Sequence, residues 1–337
     1  MERKKILVIR FSSIGDIVLT TPVLRCLHKV PGLQAEVHVA TKKAFAALLQ
    51  ANPHVGRVHA LEGSLTDLIR RLRAERFDYV VDLHNNLRSN LVRLALGRPS
   101  RAFHKLNIRK WLLTRFRIDR LPRVHIVDRY MEAAAGLGVK NDSGGLEYHI
   151  PQEARHFPDI VPGAFRDRYT AFVIGGKHAT KRLPAARISA ICQELDGPVV
   201  LLGGPEDGPV AGLVAGDCGD KVFDACGKLS LDQSAYLVQQ ATVVITHDTG
   251  LMHVAAAFRK PIVSIWGNTI PAFGMFPYMP GNPELSAMVE VEGLSCRPCS
   301  KIGFDHCPKG HFDCMEKIPA ARVAALVRRY SETDSGA

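Results

Sequence analysis

Twice along this chain, short apolar runs rich in β-branched residues alternate with segments of helical period. That alternation restricts the fold to parallel sheets with helices on both faces. In the first half, strands read at residues 5–9, 35–40, 57–61 and 77–83, with helices at 16–29, 42–50 and 65–75. The polar, Pro-rich stretch 151–168 has no period and reads as a linker. The pattern then restarts, with strands at 169–174, 199–202, 242–246 and 262–265 and helices at 185–194, 208–215, 231–239 and 251–258. After Asn268 the chain reads as loop until a last helix at 319–330. With 337 residues and 46% hydrophobic content there is material for two separate cores. The expected architecture is α/β, two Rossmann-like domains with parallel sheets facing a central cleft. Expected boundaries are 1–160, 168–317 and a final helix, 318–332, able to pack back on the N-terminal domain.

Ligands of open parallel sheets bind beyond the carboxyl ends of the strands, where helix N-termini offer unpaired N–H groups to anions. The segment 241–256, ATVVITHDTGLMHVAA, reads as such a strand, turn and helix. Thr246, His247, Asp248, Thr249, Gly250 and His253 fall within eight positions, a density beyond what helix capping by Asp248 or Thr249 requires. A second turn, FVIGGKHATKRLP, carries Gly175 and Gly176, then Lys177, Thr180, Lys181 and Arg182, a composition suited to cradling pyrophosphate. In a third, LLGGPED, Glu206 is placed either to accept hydrogen bonds from ribose hydroxyls or simply to start a helix. The first strand of the chain ends in a turn with a lone Gly15, short of the dinucleotide fingerprint. Asp16 stands at its tip, either capping the helix or taking a proton from an acceptor hydroxyl.

The net charge of +11 is concentrated. Residues 88–129 hold twelve Lys and Arg against only Asp119 and Asp128, interleaved with Phe103, Trp111, Leu112, Leu113 and Phe116. A localised basic field implies an anionic partner, and its amphipathic character favours a lipid-linked one over plain solvation. A non-enzymatic nucleic-acid-binding protein built on this segment and a zinc module is the alternative. It lacks support from any recognition helix or RNP motif. The N-terminal apolar segment is broken by Arg10 and Asp16 and has no small-residue cleavage site, so it does not read as a signal peptide. No apolar run reaches the roughly 18–20 residues of a spanning helix. The expectation is a cytoplasmic protein that meets a membrane only at its surface.

Cys26, Cys192, Cys218 and Cys226 are scattered and read as reduced, buried small hydrophobes. Cys296, Cys299, Cys307 and Cys314 are clustered. They allow a structural tetrahedral zinc site, with His306 and His311 as substitutes, but equally allow reduced thiols or a redox disulfide.

The segments FSSIGDIVLTTPVL and HDTGLMHVAAAFRKPIVSIWG, with DLHNNLRSN, HIVDRYM and the KRLP and GGPED turns, resemble glycosyltransferase family nine, the heptosyltransferases of lipopolysaccharide core assembly. The resemblance spans nearly the whole chain. It implies a GT-B fold and an inverting transfer that needs no metal, moving heptose or a related sugar from an ADP-sugar to a hydroxyl of the lipid A inner core. By motif, Asp16 would be the general base. Lys181, with Lys177 and Thr180, would contact the phosphates of the sugar donor, and Glu206 would hold the ribose. Asp248, Thr249 and Gly250 would bind sugar and diphosphate, with His253 beside them. Ser13, Gly15, Arg88, Arg123 and Arg129 would face the anionic acceptor at the inner face of the cytoplasmic membrane.

Overall fold

The computed structural model describes residues 4–334. Five parallel strands form the first sheet: β1 (Lys5–Ile9), β2 (Glu36–Lys42), β3 (Arg57–Leu61), β4 (Tyr79–Asp82) and β5 (Ser100–Ala102), in the order β3-β2-β1-β4-β5. Six form the second: β6 (Thr170–Val173), β7 (Val199–Leu202), β8 (Val222–Asp224), β9 (Val243–His247), β10 (Ile262–Trp266) and β11 (Ser286–Glu290), in the order β11-β10-β9-β6-β7-β8. The central strands are buried on both faces, which is why they read as unbroken apolar runs rather than alternating ones.

Strand order decides where a site forms. In the first sheet the chain winds outward from β1 to β3, then returns to start β4 on the other side of β1. In the second it winds from β6 to β8, then returns to start β9 beside β6. Connections diverge at these two switch points, so the crevices that accept ligands lie at the carboxyl ends of β1 and β4, and of β6 and β9. The turns singled out in the sequence are the ones that follow β1, β6 and β9.

Two compact units result: Met1–Leu106 with Val124–His149, and Asn107–Arg123 with Ile150–Ala337. This differs from a boundary near 160, because the middle of the basic segment belongs to the second unit. Arg117 donates to the carbonyls of Pro298 (2.7 Å) and Cys296 (2.8 Å), and Lys301 donates to Asn107 (3.2 Å). The Lys110 ammonium lies 5.0 Å from the centre of the Phe273 ring. The last helix, Ala320–Asp334, belongs to the second unit. It packs within the second unit against the helix Ala185–Glu194, burying Val323, Ala324, Val327 and Tyr330 in the core under β9 and β10. Its apolar stripe is matched there. Among the described residues, no helix is long and apolar enough to cross a membrane.

Candidate active site

In the second unit, β9 ends at His247 and the helix Gly250–Ala257 starts two residues later, with Asp248 and Thr249 between. Thr249 is the extended N-cap residue, but neither its side chain nor that of Asp248 caps the helix. The first amides of the helix are therefore left for another acceptor. The Asp248 carboxylate points the other way. Its Oδ2 accepts from Lys181 Nζ at 2.6 Å and from Thr269 Oγ1 at 2.9 Å, and Lys181 also reaches the Asp248 carbonyl at 3.3 Å. The turn after β6 and the turn after β9 thus meet at one end of the sheet. A Cβ on Gly176 would lie 3.3 Å from the Thr249 methyl, a measure of how closely they approach.

His247 supports this junction from behind. Fully buried, it accepts the Leu183 amide on Nε2 (3.2 Å), and burial, helped by the Arg182 charge, pushes it down to about 4. A neutral ring is what that acceptor role needs. The turn after β7 joins through Asp207, a residue the sequence reading passed over in favour of its neighbour. Asp207 is buried, accepts from the Gly204 amide (2.9 Å) and pairs with Arg182 (3.0 Å), while Glu206 is exposed. A Cβ on Gly175 would stand 2.5 Å from Asp207 Oδ2 and 3.1 Å from the Gly203 Cα, so only glycine fits between the turns. Lys177 is exposed on the same loop.

Two residues expected to contact the sugar donor are buried. Thr180 is 2% exposed and its hydroxyl is occupied: it donates to the Phe304 carbonyl (3.2 Å) and accepts the Phe304 amide (2.8 Å). It ties the cysteine-rich segment to the turn and offers a phosphate nothing. His253 is 1% exposed in a helix whose residues 252–256 are all buried, so the whole element is covered rather than one face of it. The cysteine-rich segment is also held by Arg297, which donates to the carbonyls of Gly267, Trp266, Thr269 and Val291 and pairs with Glu290 at 2.9 Å. Cys296, Cys299, Cys307 and Cys314 are free thiols, and no three of their sulfurs lie within 4.8 Å of one another.

In the first unit, Asp16 lies in the helix Ile14–Val18 that follows β1. Its Oδ2 accepts from the Ser13 amide (3.2 Å) and hydroxyl (3.0 Å), so capping is part of its role. Its Oδ1 lies 2.5 Å from Arg10 Nη2. Burial works to raise this carboxyl, but the Arg10 charge and the hydrogen bonds from Ser13 and Arg10 outweigh it and hold it below the usual carboxylate range. Arg10 is itself fixed by the carbonyls of Ser12 (2.8 Å) and Leu83 and by the face of Tyr130. At the end of β4, Asp82 Oδ1 accepts the amides of His84 (2.9 Å) and Asn85 (2.8 Å). Burial, reinforced by Arg10, pushes His84 down to about 4, so the carboxylate of Asp16 has a neutral ring in its neighbourhood.

Of the residues expected to face an acceptor, Ser13 and Arg88 are exposed and Gly15 is buried inside the Asp16 helix. Arg123 is exposed, pairs with Asp119 (2.8 Å) and belongs to the second unit. Arg129 is 4% exposed, inside the helix Ile126–Ala134, and is therefore a core residue rather than a surface cation. Arg10 could have been noticed in the sequence, since a charge directly after an apolar strand demands a partner. Asp207, Thr269 and Arg297 carry no such signal.

Comparison with known proteins agrees with this construction. The family model of glycosyltransferase family 9 (heptosyltransferase) matches residues 65–302. Lipopolysaccharide heptosyltransferase 2 of Escherichia coli K12 is 28% identical over 300 residues, covering 80% of this chain and 84% of that protein. A solved glycosyl transferase family 9 structure from Veillonella parvula DSM 2008 has a TM-score of 0.79 at 24% identity, covering 99% of each chain. E. coli heptosyltransferase WaaC with ADP has a TM-score of 0.69 at 19% identity, covering 97% of this chain and 99% of that one. The fold is GT-B. With a family match across more than two-thirds of its length, strands wound to two switch points and a cationic turn at the second, the chain belongs to glycosyltransferase family 9, the heptosyltransferases, and is a glycosyltransferase.

Proposed function

We propose that the protein transfers a heptose from an ADP-heptose-like donor to a hydroxyl of the lipopolysaccharide inner core, with inversion at the anomeric carbon. The observation that carries this reading is the junction of Lys181, Asp248 and Thr269 beside the uncapped start of the helix Gly250–Ala257. A nucleoside diphosphate brings to that corner the charge that an ammonium and free amides stabilise. The solved complex of WaaC with ADP supports the same ligand class here.

Asp16 acts as base. It takes the proton of the acceptor hydroxyl as that oxygen attacks the anomeric carbon, and the carbon–oxygen bond to the diphosphate breaks in the same displacement. The negative charge that develops on the leaving diphosphate is met by Lys181 and the helix amides, groups in place before reaction, and the mechanism assigns no step to a metal. Pairing with Arg10 keeps Asp16 ionised at neutral pH, at some cost in basicity.

The acceptor is an anionic, lipid-linked saccharide, met at the inner face of the cytoplasmic membrane. The helix Asn107–Phe116 supports this. It leaves Ile108 75%, Trp111 53% and Phe116 53% exposed, with Arg109 and Arg115 among them. Apolar side chains interleaved with cations suit a negatively charged bilayer surface.

Two measurements test the reading. Turnover of ADP-heptose by Asp16→Ala is expected to vanish while binding of the sugar donor survives; retained transfer removes Asp16 as base. A thermal-shift screen of ADP-, UDP- and GDP-sugars is expected to single out ADP-sugars, with about 2.7 kcal/mol of added stability at one hundred times the dissociation constant. A preference for UDP- or GDP-sugars overturns the assigned sugar donor.

A further inference from the structure

Far from the carboxyl-end turns, the first unit holds a polar cluster that sugar transfer does not use. His38 in β2 and His59 in β3 are 1% and 5% exposed. The register pairs His38 with Arg57 and Ala40 with His59, so the two imidazoles are diagonal neighbours on one face of the sheet. The Phe77 ring meets both edge-on, at 5.3 and 6.0 Å. The helix Leu65–Ala74 covers that face, and Glu75, the residue after its last turn, reaches the same place.

The hydrogen bonds fix which lone pairs are available. His38 Nε2 lies 2.8 Å from Glu36 Oε1, and a carboxylate only accepts, so the proton of His38 is on Nε2 and its Nδ1 carries a lone pair. That Nδ1 lies 3.0 Å from His59 Nε2. Two ring nitrogens this close share either a proton or a cation. Tetrahedral coordination with metal–nitrogen bonds near 2.0–2.1 Å puts two nitrogens about 3.3 Å apart, within easy reach of this spacing. A Glu75 carboxylate oxygen completes the set, all three ligand atoms lying within 4.8 Å of one another. A metal-bound imidazole whose other N–H is held by a carboxylate is the arrangement that orients metal-ligating histidines. Glu36 already stands in that position.

We propose that His38 Nδ1, His59 Nε2 and a Glu75 carboxylate oxygen form a three-ligand site for a divalent transition metal ion, zinc being the best match, with Glu36 orienting His38. Imidazole and carboxylate ligands select zinc, cobalt or nickel over magnesium and calcium. Glu75, with its side chain 14% exposed, gives the ion a route from solvent. Lys5 (3.0 Å) and Arg57 (2.5 Å) already pair with its two oxygens. Each oxygen keeps a second lone pair for the ion, but the two cations weaken its hold. Tying β2, β3 and a helix end together, the ion would staple the first unit and take no part in chemistry at Asp16.

Cobalt titration of the full-length protein tests the site, because cobalt reports its ligands. Wild type is expected to develop visible d–d bands without the intense near-ultraviolet charge transfer of thiolate ligation, and zinc is expected to raise its melting temperature where magnesium does not. His59→Gln should weaken uptake by about 100-fold or more, and Glu36→Gln, which removes only the orienting partner, by about 10–100-fold. If His59→Gln does not fold, Glu75→Gln carries the same expectation from the edge of the cluster. Absence of cobalt bands in wild type overturns the site, as does thiolate charge transfer as the only signal, or uptake unchanged in the ligand variants.

Discussion

Replacing Arg10 by methionine keeps most of the buried stem and deletes the guanidinium, which isolates the charge pair behind the proposed base. The variant takes the guanidinium from three groups: Asp16 Oδ1, 2.5 Å from the lost Nη2, and the carbonyls of Ser12 and Leu83, while Asp16 Oδ2 keeps its bonds from Ser13. Breaking a buried pair from one side costs about 3–5 kcal/mol. Asp16 keeps a fifth of its side chain exposed, so water relieves part of that, and about 3 kcal/mol is expected. Asp16→Asn strands the guanidinium charge but retains an oxygen for Ser13 and Arg10, and about 1.5–3 kcal/mol is expected. If the two residues act as one unit, a double-mutant cycle in urea returns a coupling of about 2 kcal/mol. The pH dependence carries a sign. The folded-state pKa of Asp16 is depressed, so the stability it confers is present above the unfolded carboxylate value, near 3.9, and is lost as pH falls through the folded value. In Arg10→Met, burial is opposed only by the Ser13 hydrogen bonds, so the carboxyl rises from its present position and the acid limb of the transfer rate moves toward neutral pH. A coupling below about 0.5 kcal/mol, or an acid limb that does not move, refutes the reasoning.

Three further outcomes follow from contacts in the second unit. Gly175→Ala forces a methyl to within 2.5 Å of Asp207 Oδ2, and is expected to cost about 1–3 kcal/mol and raise the KM for the nucleotide sugar; an unchanged KM and melting temperature count against the turn packing. Thr180→Val deletes both hydroxyl bonds to Phe304, so about 1–3 kcal/mol of stability should go and residues 299–312 should become sensitive to limited proteolysis, whereas unaltered resistance counts against the tie. Val323→Asp buries an unpaired carboxyl in the core of the second unit and should abolish the nucleotide binding proposed for that unit, measured by calorimetry with ADP; retained binding removes the last helix from that core.

Much of the architecture is legible because a parallel sheet buried on both faces writes its strands as apolar runs, and β1, β6, β7, β9 and β10 are of that kind. The short edge strands β5, β8 and β11 are half-covered and leave no such run. The helix expected at 16–29 is two helices, because the hydroxyls of Thr20 and Thr21 bond back to the carbonyls of Ile17 (2.6 Å) and Val18 (2.8 Å) while Pro22 has no N–H to continue the ladder. At the site, the turns show themselves through glycine and lysine, which local geometry demands. Their partners do not. Thr269 reaches Asp248 from 21 residues away and Arg182 reaches Asp207 from 25, separations that only the strand order closes. The burial of His253 and Arg129 is hidden for the opposite reason: a polar residue in a helix reads as exposed until the packing around that helix is known.

The Lys181 ammonium, clasped by Asp248, has one further implication, for selectivity. Because that ammonium is already paired, a bare inorganic anion such as phosphate or sulfate has to compete with the Asp248 carboxylate for it. A ligand competes well only if it also brings hydroxyls that compensate the carboxylate for sharing its lysine. A sugar joined to a diphosphate supplies both, so the enzyme can sit among abundant small anions without being clogged by them.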